Sequence, residues 1–122
     1  MHSRYKIYKD SNFYFITSST HCFVPILFNE DLFKIIVESL AYCQKEKGLR
    51  IFGFVIMPNH FHAIISHTEN NKISETVRDF KRHTSKKIIE YLKNYGKHSN
   101  LFWIKIFHNK EKNKVWQEGY HP

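Results

Sequence analysis

The sequence has little cysteine, proline or glycine, and it contains no long apolar run. Its 122 residues include two cysteines, three prolines and four glycines. Two cysteines cannot build a disulfide framework, and in a basic chain Cys22 and Cys43 predict buried, reduced thiols in a cytoplasmic protein. No apolar stretch approaches the ~20 residues of a membrane span, and the opening residues MHSRYK lack the apolar core of a signal peptide. The length predicts a single domain.

Acidic residues are also scarce, and the excess of positive charge is concentrated in one part of the chain. There are 19 Lys and Arg against 11 Asp and Glu, which gives a formal net charge of +8. Residues 72–114 contain 12 of the basic and four of the acidic residues, so this segment carries the entire excess. A local excess of this kind indicates a surface for a polyanion. A lysine-rich surface that is merely solvated is the alternative, and charge alone does not separate the two.

Two kinds of hydrophobic pattern alternate along the chain. Runs rich in aromatic and β-branched residues predict strands at residues 13–18, 50–57, 60–66 and 114–117. Apolar residues at helical spacing predict helices at residues 29–47, beginning at Asn29 and ending before Gly48, and at residues 72–95, with Ser74 as the N-cap. Pro58 and Asn59 form a turn between the second and third strands, which should be a hairpin. Asn59 is interpreted as a turn residue that could also help to orient a ligand.

The predicted order of elements is β-α-β-β-α-β, which is the ferredoxin-like arrangement of an α+β domain. It consists of a four-stranded antiparallel sheet with two helices on one face. The second strand is expected to be buried. The other face of the sheet is left free to bind a ligand, and such a face is a common platform for single-stranded nucleic acid.

The pattern His60-Phe61-His62 is the main candidate for chemistry. Because side chains alternate along a strand, the two imidazoles should project from one face while Phe61 projects from the other. Two neighbouring imidazoles favour a divalent metal site. The chain contains nine histidines, so a His-x-His pattern without a function is the alternative. Two ligands do not hold a metal well, so further ligands are expected from elsewhere.

The second predicted helix carries a basic stripe beside its apolar one. We predict that four of its side chains contact the phosphate backbone of a nucleic acid, namely Arg78, Lys81, Arg82 and Lys86. A solvated helix face is the alternative. Among the remaining candidates, Tyr91, Tyr95 and Trp116 are interpreted as packing residues, although a tryptophan can also stack on an unpaired base. His67 is interpreted as a loop histidine that points away from the face of His60 and His62.

The sequence resembles a known family along most of its length. Residues 53–65, GFVIMPNHFHAII, resemble the HUH signature of single-tyrosine insertion-sequence transposases, and the REP-associated tyrosine transposases are the most similar branch. Three further stretches resemble the family in the same order along the chain. These are residues 13–28 (the opening strand and the loop after it), residues 79–85 (DFKRHTS) and residues 115–120 (VWQEGY).

The resemblance implies a function and a set of site residues. Members of this family bind single-stranded DNA, often at imperfect hairpins, and join it to a tyrosine through a 5′-phosphotyrosine. On this mapping His60 and His62 hold Mg²⁺ or Mn²⁺, which polarises the scissile phosphate. The covalent intermediate conserves bond energy for rejoining the strand. Both monomers and homodimers occur among the relatives, so the resemblance leaves the assembly open.

The resemblance also places the nucleophilic tyrosine on a helix after the VWQEGY segment. These 122 residues have no counterpart of that helix, and Tyr120 belongs to the segment itself. The sequence therefore predicts one HUH transposase-like domain, residues 1–122, that lacks the tyrosine helix. Two alternatives stay open. One is a module that binds single-stranded nucleic acid without chemistry, and the other is a phosphodiesterase that uses water in place of tyrosine.

Overall fold

The computed structural model describes the backbone of residues 5–8, 13–95, 104–105, 108–109, 112–113 and 115–117, and the side chains within 13–95, 104–105 and 115–117. The elements are β1 (Tyr5–Tyr8), β2 (Phe13–Ser19), α1 (Glu30–Glu46), β3 (Leu49–Met57), β4 (His60–His67), α2 (Ile73–Asn94), β5 (His108–Asn109) and β6 (Lys112–Asn113). The long elements confirm the strands predicted at 13–18, 50–57 and 60–66 and both predicted helices. Most of the segment 97–113 lies outside the described residues.

The three long strands form an antiparallel sheet, and both helices pack on one of its faces. The strand order is β1-β2-β4-β3. Along the central strand β4, Phe61, Ala63 and Ile65 are buried and belong to the same core as the apolar residues of α1 and α2. The tertiary contacts between the helices close this layer. The protein is therefore an α+β domain whose sheet has one covered face and one open face, as predicted.

The first helix begins and ends where its local signals predict. The side chain of Asn29 accepts a hydrogen bond from the Leu32 backbone N–H at 2.9 Å, which satisfies one of the donors at the helix N-terminus. Gly48, just beyond the helix, has a φ of +79°, a left-handed conformation that suits glycine. A Cβ atom on this residue would also clash with the hydroxyl of Thr68. These two residues fix the length of α1.

The second helix differs from the prediction at both ends. A 3₁₀ turn, Asn70–Lys72, leads directly into α2, so the helix begins at Ile73 and Ser74 is not its N-cap. Tyr95 follows the last helical residue and is 67% exposed, so its prediction as a packing residue of the core is wrong. Tyr91 is half-buried against the core, as expected. The predicted helical periodicity is confirmed within α2, but the helix ends before Tyr95, and this side chain does not face the sheet.

Of the predicted fourth strand at residues 114–117, the structure describes residues 115–117, which form an isolated bridge between Trp116 and Thr20. The ferredoxin-like order is therefore not confirmed. The reason lies at the outer edge of β2, where β1 pairs with residues 13–16 and occupies most of the available hydrogen-bonding groups. Only the end of β2 remains for the C-terminal segment, where the Gln117 N–H donates to the Ser19 carbonyl at 2.8 Å.

The strand β3 is an edge strand, so the prediction of a buried second strand is wrong. Among the strands that the structure describes, it pairs with β4 alone, and its register shifts between Ile51 and Gly53. Four of its large apolar side chains are exposed, namely Phe52, Phe54, Val55 and Met57. An apolar run does not reveal how many strands flank it, because a central and an edge strand can have the same composition.

Neither Cys22 nor Cys43 forms a disulfide, but only one of the two is buried. Cys43 lies in the core, and burial raises the pKa of its thiol. Cys22 is exposed in the 3₁₀ turn His21–Phe23, so the prediction of a buried thiol is wrong there.

In the described part of the chain, no helix combines the length and the apolar character that a membrane span requires.

An ion pair joins the two helices at their outer surface and predicts a small, pH-dependent contribution to stability. The ammonium of Lys47 donates to the Asp79 carboxylate at 3.0 Å and lowers the pKa of Asp79, with a smaller effect of the adjacent Arg78. Since the pKa is lower in the folded state, the stabilisation is present above the ordinary carboxyl pKa and disappears as the pH falls through the folded-state value.

We expect Asp79→Asn to reduce the free energy of unfolding by less than about 1 kcal/mol at neutral pH, because the pair is partly solvated. The difference from the wild type should disappear as the pH falls through the lowered pKa of Asp79 in the folded state, where the native carboxyl becomes protonated. Urea unfolding at several pH values measures this. Glu75→Gln is the control, since its exposed carboxylate approaches Arg78 only to 3.9 Å. A loss that does not change with pH would contradict the electrostatic origin.

Candidate metal centre on the open face of the sheet

The alternation of β4 separates His60 and His62 from the core residue between them. The ring of Phe61 is fully buried and meets the rings of Phe80 on α2 and Trp116 in edge-to-face contacts, with centroids 5.5 and 5.4 Å apart. His60 and His62 are half-buried and lie on the opposite, open face. The structure thus brings the two imidazoles together as the His-x-His spacing predicts.

The two rings are close neighbours in a partly desolvated setting. Their centroids are 4.9 Å apart, with an angle of 76° between the ring planes. The ring of His62 is also stacked on Phe15 of the adjacent strand, at 5.4 Å and 17°. Burial lowers the pKa of His62, and the neighbouring His60 lowers it further. Both effects favour the neutral form of the His62 imidazole, which is the form that binds a metal.

Each ring has one nitrogen engaged by a neighbouring side chain. Nδ1 of His60 lies 2.7 Å from Oδ1 of Asn59, and Nδ1 of His62 lies 2.8 Å from the hydroxyl of Thr17. Thr17 lies opposite His62 in the register of β2 and β4. Among the described residues, none forms a hydrogen bond with Nε2 of either ring. The sequence indicates Asn59 as a turn residue that could also help to orient a ligand. Thr17 gives no signal there, because strand register is not visible locally.

The donor set fits part of a metal site. The two Nε2 atoms belong to a pair of imidazoles held on one face, and imidazole is a common ligand of divalent transition metals. Within the residues that the structure describes, no group of three or more His, Cys, Asp or Glu side chains could surround a metal ion. The pair would thus supply two ligands, and water or a phosphate oxygen would have to supply others.

The surface around the two histidines is largely apolar. Phe13 and Phe52 meet edge to face across the open face, with ring centroids 4.7 Å apart. Val55, opposite His62, and Met57, opposite His60, are both exposed, and so is Ile64 further along β4. A cluster of exposed apolar side chains next to polar groups is typical of a binding face.

The predicted basic stripe is not next to the histidines. It lies on α2, which covers the opposite face of the sheet, as the contact between Phe80 and Phe61 shows. Arg82 and Lys86 are exposed on the outer side of the helix, whereas Lys81 is half-buried. The guanidinium of Arg78 is 3.5 Å from Asp79 and 3.9 Å from Glu75, which partly neutralises its charge. A strand bound at the histidine pair does not reach this stripe without passing around the sheet.

The other candidate residues, His67 and Trp116, are buried and have structural roles. His67 is buried at the end of β4, not in a loop; its Nδ1 accepts from the Glu69 N–H at 2.8 Å and its Nε2 lies 3.0 Å from the Thr76 hydroxyl. It does point away from the face of His60 and His62, as predicted. Trp116 is buried and donates to the Thr84 hydroxyl at 2.8 Å, in agreement with a packing role.

Comparison with known proteins identifies the family of the chain. No curated protein matches the chain. A family model described as "Transposase IS200 like" matches residues 23–121, which include the whole of β3, β4 and α2 and the bridge at Trp116. A match over most of the chain identifies the family. The chain belongs to the IS200-like transposases.

Proposed function

We propose that this transposase-family protein binds single-stranded DNA at the open face of its sheet and processes it with a divalent metal held by His60 and His62. The observation that carries the proposal is the pair of imidazoles on one face, each with Nδ1 engaged by a neighbour. The apolar and aromatic surface beside the pair suits unpaired bases, which stack on exposed rings. The resemblance of residues 53–65 to the REP-associated branch supports a hairpin as the substrate.

The histidine rings bind the metal in this proposal, and the face around them positions the strand. A bound Mg²⁺ or Mn²⁺ would polarise the scissile phosphate and help to neutralise its developing charge. Stacking of His62 on Phe15 restricts rotation of the ligand ring. Because Mn²⁺ binds nitrogen ligands more strongly than Mg²⁺ does, we expect tighter binding of Mn²⁺.

The nucleophile is a tyrosine in the family chemistry that we propose here. Its hydroxyl oxygen would bond to phosphorus while the P–O3′ bond breaks, which leaves a 5′-phosphotyrosine and a free 3′-OH. The tyrosines with described side chains are not placed for this step. Tyr14 is buried and donates to Asn70, Tyr91 donates to Asp31, and Tyr42 and Tyr95 belong to the helix layer. We therefore assign the nucleophile to none of them.

A labelled hairpin with a single-stranded flank tests the proposal. We expect Mn²⁺ to increase the affinity of the wild-type protein for this DNA, as measured by fluorescence anisotropy, because phosphate oxygens complete the coordination of the metal. The double variant His60→Ala/His62→Ala should bind weakly with or without Mn²⁺. Equal affinities with and without the metal, in both proteins, would contradict the metal-dependent function.

Denaturing gels of the same reactions separate the chemistries. A covalent protein–DNA adduct that requires both histidines would demonstrate strand cleavage by a tyrosine. Cleavage over many turnovers without an adduct would identify water as the nucleophile. Neither product, together with metal-independent binding, would leave a binding module without chemistry.

We propose that the basic stripe of α2 contacts the DNA backbone as a second, separate surface. Arg82→Ala/Lys86→Ala is expected to weaken hairpin binding for every sequence and to reduce the slope of log K against log [salt] by about 1–2, because each lost phosphate contact removes close to one released counterion. Mn²⁺ binding should not change, since the stripe lies across the sheet from His60. Lys34→Ala/Lys45→Ala on α1 is the charge-matched control. An unchanged salt slope would contradict the contact.

A further inference from the structure

The strongest unexplained feature beside the histidine pair is the side chain of Asn59. It lies in the turn between β3 and β4, and its amide contacts two groups, one in the loop after β2 and one on β4. Its Nδ2 approaches the Phe23 carbonyl at 3.4 Å, and its Oδ1 lies 2.7 Å from Nδ1 of His60. This residue thus connects the loop after β2 to the ring of a candidate metal ligand.

The backbone around Asn59 is held independently of its side chain. The Asn59 carbonyl accepts hydrogen bonds from the backbone N–H of Thr20 at 2.9 Å and from the Thr20 hydroxyl at 3.2 Å. The preceding carbonyl, of Pro58, accepts from the Leu27 N–H at 2.9 Å. Thr20 and Leu27 are fully buried. A substitution of the Asn59 side chain therefore leaves the anchors of the turn in place.

The two contacts of the amide fix the orientation of the amide and, through it, the tautomer of His60. If the amide were turned around, Oδ1 would face the Phe23 carbonyl oxygen, and two acceptors would meet. With Oδ1 toward His60, the Nδ1 atom at 2.7 Å must carry a hydrogen, because an oxygen that only accepts needs a donor. In the neutral ring, Nε2 then carries the lone pair.

We infer that Asn59 is a positioning residue: by accepting from Nδ1–H, it holds His60 in the tautomer and ring orientation in which Nε2 can bind a divalent cation. A partner on the second ring nitrogen is typical of metal-binding histidines. The contact of His62 with Thr17 does not fix a tautomer in the same way, since a hydroxyl can donate or accept. The inference rests on the proposed function for its purpose, but the tautomer itself exists without the metal.

The first test is the protonation of the ring nitrogens in the metal-free protein. Long-range ¹H–¹⁵N correlation spectra at pH ~8, where an imidazole of ordinary pKa is neutral, distinguish protonated from unprotonated nitrogens. We expect His60 to carry its hydrogen on Nδ1. His67 is an internal reference of opposite sign, since its Nδ1 accepts from the Glu69 N–H and its hydrogen lies on Nε2. Finding the hydrogen of His60 on Nε2 would overturn the inference, whatever the protein binds.

The second test compares two variants by calorimetric titration with Mn²⁺. Asn59→Leu has a similar size and no acceptor, and we expect it to weaken Mn²⁺ binding about 10–100-fold. Asn59→Asp keeps the acceptor and should bind Mn²⁺ at least as tightly as the wild type. The ring signals of buried His67 report that each variant is folded.

The outcomes separate this inference from the proposed function. Equal affinity in Asn59→Leu and the wild type, with binding lost in His60→Ala, would overturn the positioning role and leave the metal site intact. No Mn²⁺ binding by the wild type would overturn the proposed metal site, and the tautomer of His60 would still decide whether Asn59 orients the ring.

Discussion

Replacing Phe61 with alanine is expected to lower the free energy of unfolding by about 3–5 kcal/mol, which is typical for a buried phenylalanine. Its side chain has 0% exposure and joins three parts of the protein: the strand β4, Phe80 of α2 and Trp116 of the C-terminal segment. A cavity at this point would remove two edge-to-face contacts as well as apolar burial. Urea unfolding followed by circular dichroism measures the change.

The matched control is Phe54→Ala on the edge strand. This ring is 45% exposed, so we expect a loss of no more than about 1.5 kcal/mol. A loss below about 1 kcal/mol for Phe61→Ala would contradict the packing of β4 against α2, and with it the assignment of His60 and His62 to the open face.

The double variant His60→Ala/His62→Ala is expected to lose at least about 100-fold in affinity for Mn²⁺, since both protein ligands of the proposed site are removed. Its melting temperature should stay within a few degrees of the wild-type value, because both rings are half-buried on the open face and contribute little to the core. Isothermal titration calorimetry with Mn²⁺ gives the affinity, and a thermal melt in the absence of metal gives the stability.

His83→Ala is the control for this result. His83 is exposed on α2 and lines the groove between the two helices, away from the open face. It should bind Mn²⁺ like the wild type. Retained binding in the double variant, or a comparable loss in His83→Ala, would show that the protein binds Mn²⁺ somewhere other than the histidine pair. Substitution of His60 and His62, which flank Phe61, should thus impair metal binding and not stability. Substitution of Phe61 should lower stability first.

The parts of the fold that were predicted correctly depend on signals that are close together in the chain. The cap at Asn29 and the left-handed Gly48 define α1. The turn at Pro58 and Asn59 joins two β-rich runs into the β3–β4 hairpin. The projection of His60 and His62 from the same face of β4 follows from the two-residue period of a strand. Each of these features needs only a few consecutive residues, so the sequence contains enough information to predict it.

Two of the errors concern the positions of strands within the sheet. The strand β1 occupies the edge of β2 that was predicted for residues 114–117, and β3 is at the edge although its composition suggested a buried strand. Composition decides neither result, because strand propensity indicates which segments are extended and not which segments pair.

The candidate site was predictable in part for the same reason. Its two histidines are neighbours in sequence, but Thr17 is 45 residues from His62 and reaches it only through the register of β2 and β4. The basic stripe of α2 is visible from helical periodicity, yet periodicity does not say which face of the sheet the helix covers. The separation of Arg82 and Lys86 from the histidines therefore became evident only in the structure.

The most direct test of the central claim is the effect of Mn²⁺ on the histidine ring signals in nuclear magnetic resonance spectra. Substoichiometric Mn²⁺ broadens the signals of nuclei near the ion, and the effect falls steeply with distance. The account predicts that the ring signals of His60 and His62 disappear first, while those of His67, five residues further along β4 and on its buried face, persist longest among the three. If the His67 signals disappear first, or those of His60 and His62 stay sharp, the histidine pair is not the metal site.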